Sequence, residues 1–150
     1  MSDRVTVRRE DALAIVTLSR PDRLNVLDRK GWEALAVAME TLGRDPDVHC
    51  VVVQGAGSRA FSAGSDVTGF PDERSTPEQV QEYAQALEGA LSAIRSCPHP
   101  TLALIHGACV GGGLEIAASC DLRICSESSR FGAPINWLGL TMSYGELGPL

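Results

Sequence analysis

The chain has 150 residues, 44% of them apolar and 21% charged, an ordinary globular composition sufficient for one domain with its own core. A formal net charge of -6, an isoelectric point near 5.0 and a single lysine, Lys30, argue against nucleic-acid or anionic-membrane partners. No stretch approaches the ~18 apolar residues of a transmembrane helix, and "MSDRVTVRRE" lacks the apolar centre of a secretory signal, so a cytoplasmic protein is expected.

Along the chain, "RVTVRRE" and "LAIVTLS" alternate apolar and polar residues around Glu10 and Asp11, the pattern of an antiparallel hairpin. "RPDRLNVLD" reads as a loop closed by Asp28, a candidate N-cap. After Gly31, Trp32, Leu35, Ala36, Met39 and Leu42 share one helical face, and Gly43 and Pro46 end the helix. "VHCVVVQG" is mostly apolar, as a strand covered on both faces would be. "AGSRAFSAGSDVTGFPDERST" reads as one long Gly/Ser loop, with no helix expected before Pro77.

An amphipathic helix then opens with Thr76 as N-cap and Pro77 at its first position. "PHPTLALIHG" predicts a second buried strand, "GGLEIAASC" a short helix and "DLRICS" a third strand. Helices and strands thus alternate after the hairpin, which implies an α/β fold with a largely parallel sheet. "SYGELGPL" stops as a new segment begins, which suggests an incomplete domain.

The five cysteines, Cys50, Cys97, Cys109, Cys120 and Cys125, are odd in number, lack CxxC spacing and lie mostly in apolar runs. They read as buried, reduced thiols. His106 with Cys109, or Cys120 with Cys125, lack further donors at ligand spacing, and His49 and His99 stand alone, so no metal is expected.

Two motifs come close to known signatures. "GAGSRA" after "VVVQ" matches a dinucleotide fingerprint, but that motif must open a helix at its glycines. "GACVG" places Cys109 where a nucleophile elbow has serine, which raises a cysteine-hydrolase alternative. Every histidine precedes Cys109, however, against the chain order of that fold.

The glycine loops "AFSAGSD" and "GACVGGG" each follow a strand, and ligands settle where such loops converge in parallel sheets. Glycines opening a helix present unpaired N–H groups with the positive end of its dipole. One amide from each loop would form an oxyanion hole, with Glu115 in the first helical turn as acid/base. A plainer reading stays open: triple glycine also marks tight helix–strand packing, and a first-turn glutamate complements the dipole.

"RPDRLNVLD", "AFSAGSDV" and "HGACVGGGLEIAASCDLRICSESSRFGAPINWLGL" resemble the crotonase superfamily, the enoyl-CoA hydratase/isomerase group. The resemblance implies a ClpP/crotonase-like α/β fold of repeated ββα units. It makes residues 1–150 a single acyl-CoA-binding core whose C-terminal helical region is absent or cut. It implies an acyl-CoA thioester as substrate, no metal or redox cofactor, and a homotrimer or dimer of trimers where the C-terminal region is present.

Matched residue by residue, the resemblance puts the oxyanion-hole donors at the Ser65 and Gly112 amides. Arg59 to Val67 would lie along CoA, with Ala63, Asp66 and Val67 near the adenine. Arg23 and Leu24 would approach the pantetheine and phosphate end. Glu115 matches one of two glutamates of the family's hydratases; "FGAPI" puts Ile135 where the second belongs. Tyr144 and Glu146 are then candidate substitutes, and an acyl-CoA binder with little turnover is a second reading.

Overall fold

The computed structural model describes residues 3–139, 141–144 and 148. Strands β1 (Val5–Glu10) and β2 (Leu13–Leu18) form the expected hairpin, with Asp11 at a positive φ of 52° in its turn. Helix α1 (Arg29–Gly43) is capped by the Asp28 carboxylate, which accepts from the Gly31 N–H at 2.8 Å. The next elements are β3 (Cys50–Gly55), β4 (Ala60–Ser62), α2 (Phe70–Glu73) and α3 (Pro77–Arg95). The Thr76 side chain accepts from the Gln79 N–H and the Gln79 side chain from the Thr76 N–H, a full capping box. Strands β5 (Thr101–Ile105) and β6 (Ala108–Val110), helix α4 (Gly112–Ser119), and strands β7 (Leu122–Cys125) and β8 (Arg130–Gly132) follow.

These elements repeat as strand–strand–helix units and sort into two sheets. The larger has the order β1-β2-β3-β5-β7, parallel from β2 onward; the smaller is parallel β4-β6-β8. The hairpin β1–β2 lies wholly in the larger sheet, and each later strand pair, β3–β4, β5–β6 and β7–β8, gives its first strand to the larger sheet and its second to the smaller. Helices α1 and α3 pack on each other, and Trp32, Leu35, Met39, Tyr83, Leu91 and Ile94 meet β-strand residues such as Val16, Val51 and Val53 in one core. Burying each such aliphatic side chain contributes about 1.5–3 kcal/mol.

Two expectations need correction. The segment read as one loop holds β4, a 3-10 turn (Val67–Gly69) and α2. Three-residue strands carry too little alternation to be seen in sequence; β4 exists because β6 pairs with it. The cysteines are not uniformly buried: Cys109 and Cys120 are, Cys50 and Cys97 are half-buried, and Cys125 is exposed on β7. All five thiols are free, and no helix among the described residues is long and apolar enough to cross a membrane.

Candidate active site

The loops after β4 and β6 meet backbone to backbone. Gly64 has φ +81°, and a Cβ there would stand 2.4 Å from the Gly112 nitrogen. Gly111 turns the chain into α4 at φ +54°, and a Cβ on Gly113 would lie 2.2 Å from the Ser62 carbonyl oxygen. Any side chain at Gly64 or Gly113 would force the two loops apart.

Leu27 sets the direction of the Ser65 peptide. Its N–H donates to the Gly64 carbonyl and its carbonyl accepts from the Asp66 N–H, both at 2.8 Å. Backbone groups alternate along an extended chain, so the Ser65 N–H faces away from Leu27. Gly112 is the first residue of α4, where N–H groups have no intrahelical acceptor. No backbone or side-chain acceptor engages either amide among the described residues.

Ser65 and Gly112 both line a cleft of about 1030 Å³, with Glu115 and Ile135 in its wall. Glu115 sits in the first turn of α4 and is 5% exposed. Ile135 opens a 3-10 turn (Ile135–Leu138), so an aliphatic side chain occupies its share of the wall. Glu88 of α3 is also on the wall, and Arg95 holds its carboxylate at 2.6 Å. Tyr144 is exposed at the rim; Glu146 lies outside the described residues.

The other matched residues fall around the same loop. Ala63 and Val67 line the cleft, and the half-buried Leu24 accepts from the Ala63 N–H at 2.9 Å through its carbonyl. Arg59 is exposed between β3 and β4. Arg23 and Arg20 hold the buried Asp66 carboxylate at 3.0 and 3.1 Å. Burial alone would raise the Asp66 pKa, but hydrogen bonds from Thr68 and the charge of Arg23 outweigh it and hold the group below the usual carboxylate range.

The sequence did not single out Asn25, Trp32 or Tyr83 as site residues. Asn25 has φ +55°, and its amide nitrogen donates to the Ala56 and Ala60 carbonyls at 2.9 and 2.8 Å, tying "RPDRLN" to β4. Trp32 reads as an ordinary apolar-face position, and nothing local in the sequence marks Tyr83 within its amphipathic helix. The Tyr83 hydroxyl donates to the Leu27 carbonyl at 3.2 Å and accepts from the Trp32 indole N–H at 3.3 Å.

The cysteine-hydrolase alternative fails on geometry. Cys109 lies within β6 rather than at the turn into α4, and its side chain is fully buried in the core. Burial pushes its thiol up to about 12, so no thiolate nucleophile forms near neutral pH. "GAGSRA" runs into β4 and opens no helix, which removes the dinucleotide reading. Among the described residues no group of three or more His, Cys, Asp or Glu could hold a metal ion.

The family model described as enoyl-CoA hydratase/isomerase matches residues 8–148. The chain belongs to this family. Among solved structures, an enoyl-CoA hydratase/carnithine racemase from Magnetospirillum magneticum shares 44% identity at a TM-score of 0.94, covering 99% of this chain and 56% of the other. The crotonase-like fold expected from the sequence is therefore the fold observed. A short-chain-enoyl-CoA hydratase from Clostridium acetobutylicum is 32% identical over 141 residues, covering 94% of this chain and 53% of the relative. A mitochondrial Delta(3,5)-Delta(2,4)-dienoyl-CoA isomerase from Rattus norvegicus is also 32% identical, covering 88% and 43%. The family member described here spans about half the length of the curated relatives it matches.

Proposed function

We propose that this chain binds an acyl-CoA thioester and stabilises its enolate between the Ser65 and Gly112 amides, with Glu115 as the proton-transfer group. The observation that carries the reading is the Gly64–Gly112 contact, which seats both amide-bearing loops on one cleft beside Glu115. The Glu115 carboxylate takes a proton from a carbon of the acyl chain, and the electron pair moves to the thioester oxygen, where two N–H donors hold the charge. Returning the proton to a different carbon shifts the double bond and restores the carboxylate. Electrons stay within the substrate, so the step uses no metal or redox cofactor.

Ile135 favours this double-bond shift over hydration. Adding water needs a second group to hold and deprotonate it, and isoleucine can do neither. Ala63 and Val67 line the cleft; the loop from Arg59 to Val67 would run along CoA, with Arg23 and Leu24 toward its pantetheine and phosphates. The Asp66 side chain is occupied by Arg20 and Arg23, so it shapes the loop near the adenine through those pairs. Where the C-terminal region is present, the same family resemblance implies a homotrimer or dimer of trimers, and sedimentation measures it.

The test is incubation of the protein with a 3-enoyl-CoA in deuterium oxide. Conversion to the 2-enoyl isomer, lost in Glu115→Gln while CoA-thioester binding persists, is the expected result, and deuterium entry reports solvent exchange at the Glu115 carboxyl. Ile135 also motivates the second reading, a binder with little turnover; tight binding with neither isomer formation nor deuterium entry would establish that reading instead.

A further inference from the structure

We infer that Trp32 and Tyr83, the latter in the cleft wall, are positioning residues that brace both amides of the proposed oxyanion hole. The inference rests on the oxyanion-hole reading and adds what holds its geometry. The Tyr83 hydroxyl donates to the Leu27 carbonyl at 3.2 Å, and that carbonyl also accepts from the Asp66 N–H at 2.8 Å. Leu27 is the bridge partner of Ser65, so the hydroxyl pins the peptide that aims the first amide.

The indole of Trp32 closes the other half. Its N–H donates to Tyr83 at 3.3 Å, and its ring edge lies against Gly112, where a Cβ would stand 2.8 Å away. One tryptophan thus touches the residue that bears the second amide and orders the hydroxyl that steadies the first. Both side chains are buried, with Trp32 0% and Tyr83 1% exposed, so neither bond competes with water. Phe70 packs edge-on against Tyr83, ring centroids 5.6 Å apart, and Arg74 lies over both rings, which fixes the phenol's tilt.

A misplaced donor loses much of its effect on the developing charge, because an oxyanion hole acts through preset geometry. Tyr83→Phe removes only the hydroxyl. The readout is the ultraviolet band of a bound dienoyl- or cinnamoyl-CoA, which moves to longer wavelength as hydrogen bonds polarise its carbonyl. The wild-type band should shift on binding. In Tyr83→Phe that shift should fall by about half and kcat by about tenfold, with KM little changed.

Should Tyr83→Phe fail to fold, 3-fluorotyrosine at position 83 in a Tyr144→Phe background keeps the shape and makes the hydroxyl a stronger donor. The band shift should then move measurably from the value of the Tyr144→Phe protein with ordinary tyrosine at position 83. A full band shift and full kcat in Tyr83→Phe, or a band shift unchanged between the fluorotyrosine protein and its Tyr144→Phe parent, overturn the inference, as does a raised KM with kcat and band shift intact. Absence of a shift in the wild type overturns the oxyanion-hole reading itself, a separate outcome.

Discussion

Gly64 and Gly112 touch through their main chains: a Cβ on Gly64 would lie 3.0 Å from the Gly112 Cα and closer still to its nitrogen. The two loops come from strands of the small sheet, β4 and β6, which pair in parallel and so release their chains at the same end. Sheet pairing and one missing side chain together place two amides on one cleft.

Gly64→Ala should destabilise the fold by about 2 kcal/mol or more, since φ +81° and the Gly112 backbone both oppose a Cβ. Gly89→Ala, in the middle of α3 with open space around it, should instead stabilise by about 0.5–1 kcal/mol. Thermal unfolding of both variants checks the contrast. An equal response at the two sites would show that the close approach at Gly64 is not under steric constraint.

The Gly112 donor can be deleted only with care. Proline would remove the N–H but bring its ring against Trp32, which lies 2.8 Å from a Cβ at this site. Replacing the amide N–H of Gly112 by an ester oxygen deletes the donor and adds no bulk. Turnover of an acyl-CoA should fall on the order of 10²–10³-fold with the fold intact; undiminished turnover would remove Gly112 from the mechanism.

Ile135→Glu should restore a second carboxylate to the cleft wall that already carries Glu115. Hydration of crotonyl-CoA, followed by loss of its enoyl absorbance, should rise on the order of tenfold or more. Two close carboxylates raise the pKa of one of them, so the gained activity should persist to higher pH than an isolated glutamic acid would allow. No gain in a folded variant would mean that position 135 is not what limits hydration.

Asp66 links stability to pH. Its folded pKa lies below the ordinary 3.8, so its stabilisation is fully present above that value and is lost as pH falls through the lower folded value. Asp66→Asn should therefore cost about 1–2 kcal/mol near neutral pH, where the Arg20 and Arg23 pairs are intact. The difference from wild type should shrink below pH 3.8, and urea unfolding across that range measures it. A pH-independent difference would place the effect in packing.

Alkylation should separate the thiols by burial. Cys109 and Cys120 are buried and pushed up to about 12, whereas Cys125 is exposed. Iodoacetamide on the folded protein should mark Cys125 first and leave Cys109 untouched by mass spectrometry; rapid labelling of Cys109 would revive the hydrolase alternative.

Much of this fold was legible because its signals are local. The Asp28 cap, the Thr76–Pro77 start and the β1–β2 hairpin each depend on residues within a few positions of one another. The apolar runs of β3 and β5 likewise announced covered parallel strands. Glu115 stood out through its place in the first turn after a glycine run, and Ser65, Gly112 and the anomalous Ile135 through the resemblance to the crotonase superfamily.

Tertiary structure alone decided the rest. The three-residue strands of the small sheet exist through pairing across tens of residues, which no short window contains. Arg23 and Asp66, matched separately to CoA, were found holding each other. Tyr83 meets Leu27 from 56 positions away, and only folding brings that hydroxyl to that carbonyl. Residue identity supplied the amides and the carboxylate. Their common cleft arose from β4 pairing with β6, because a hydrogen-bonded register fixes loop ends in space while sequence fixes only their order.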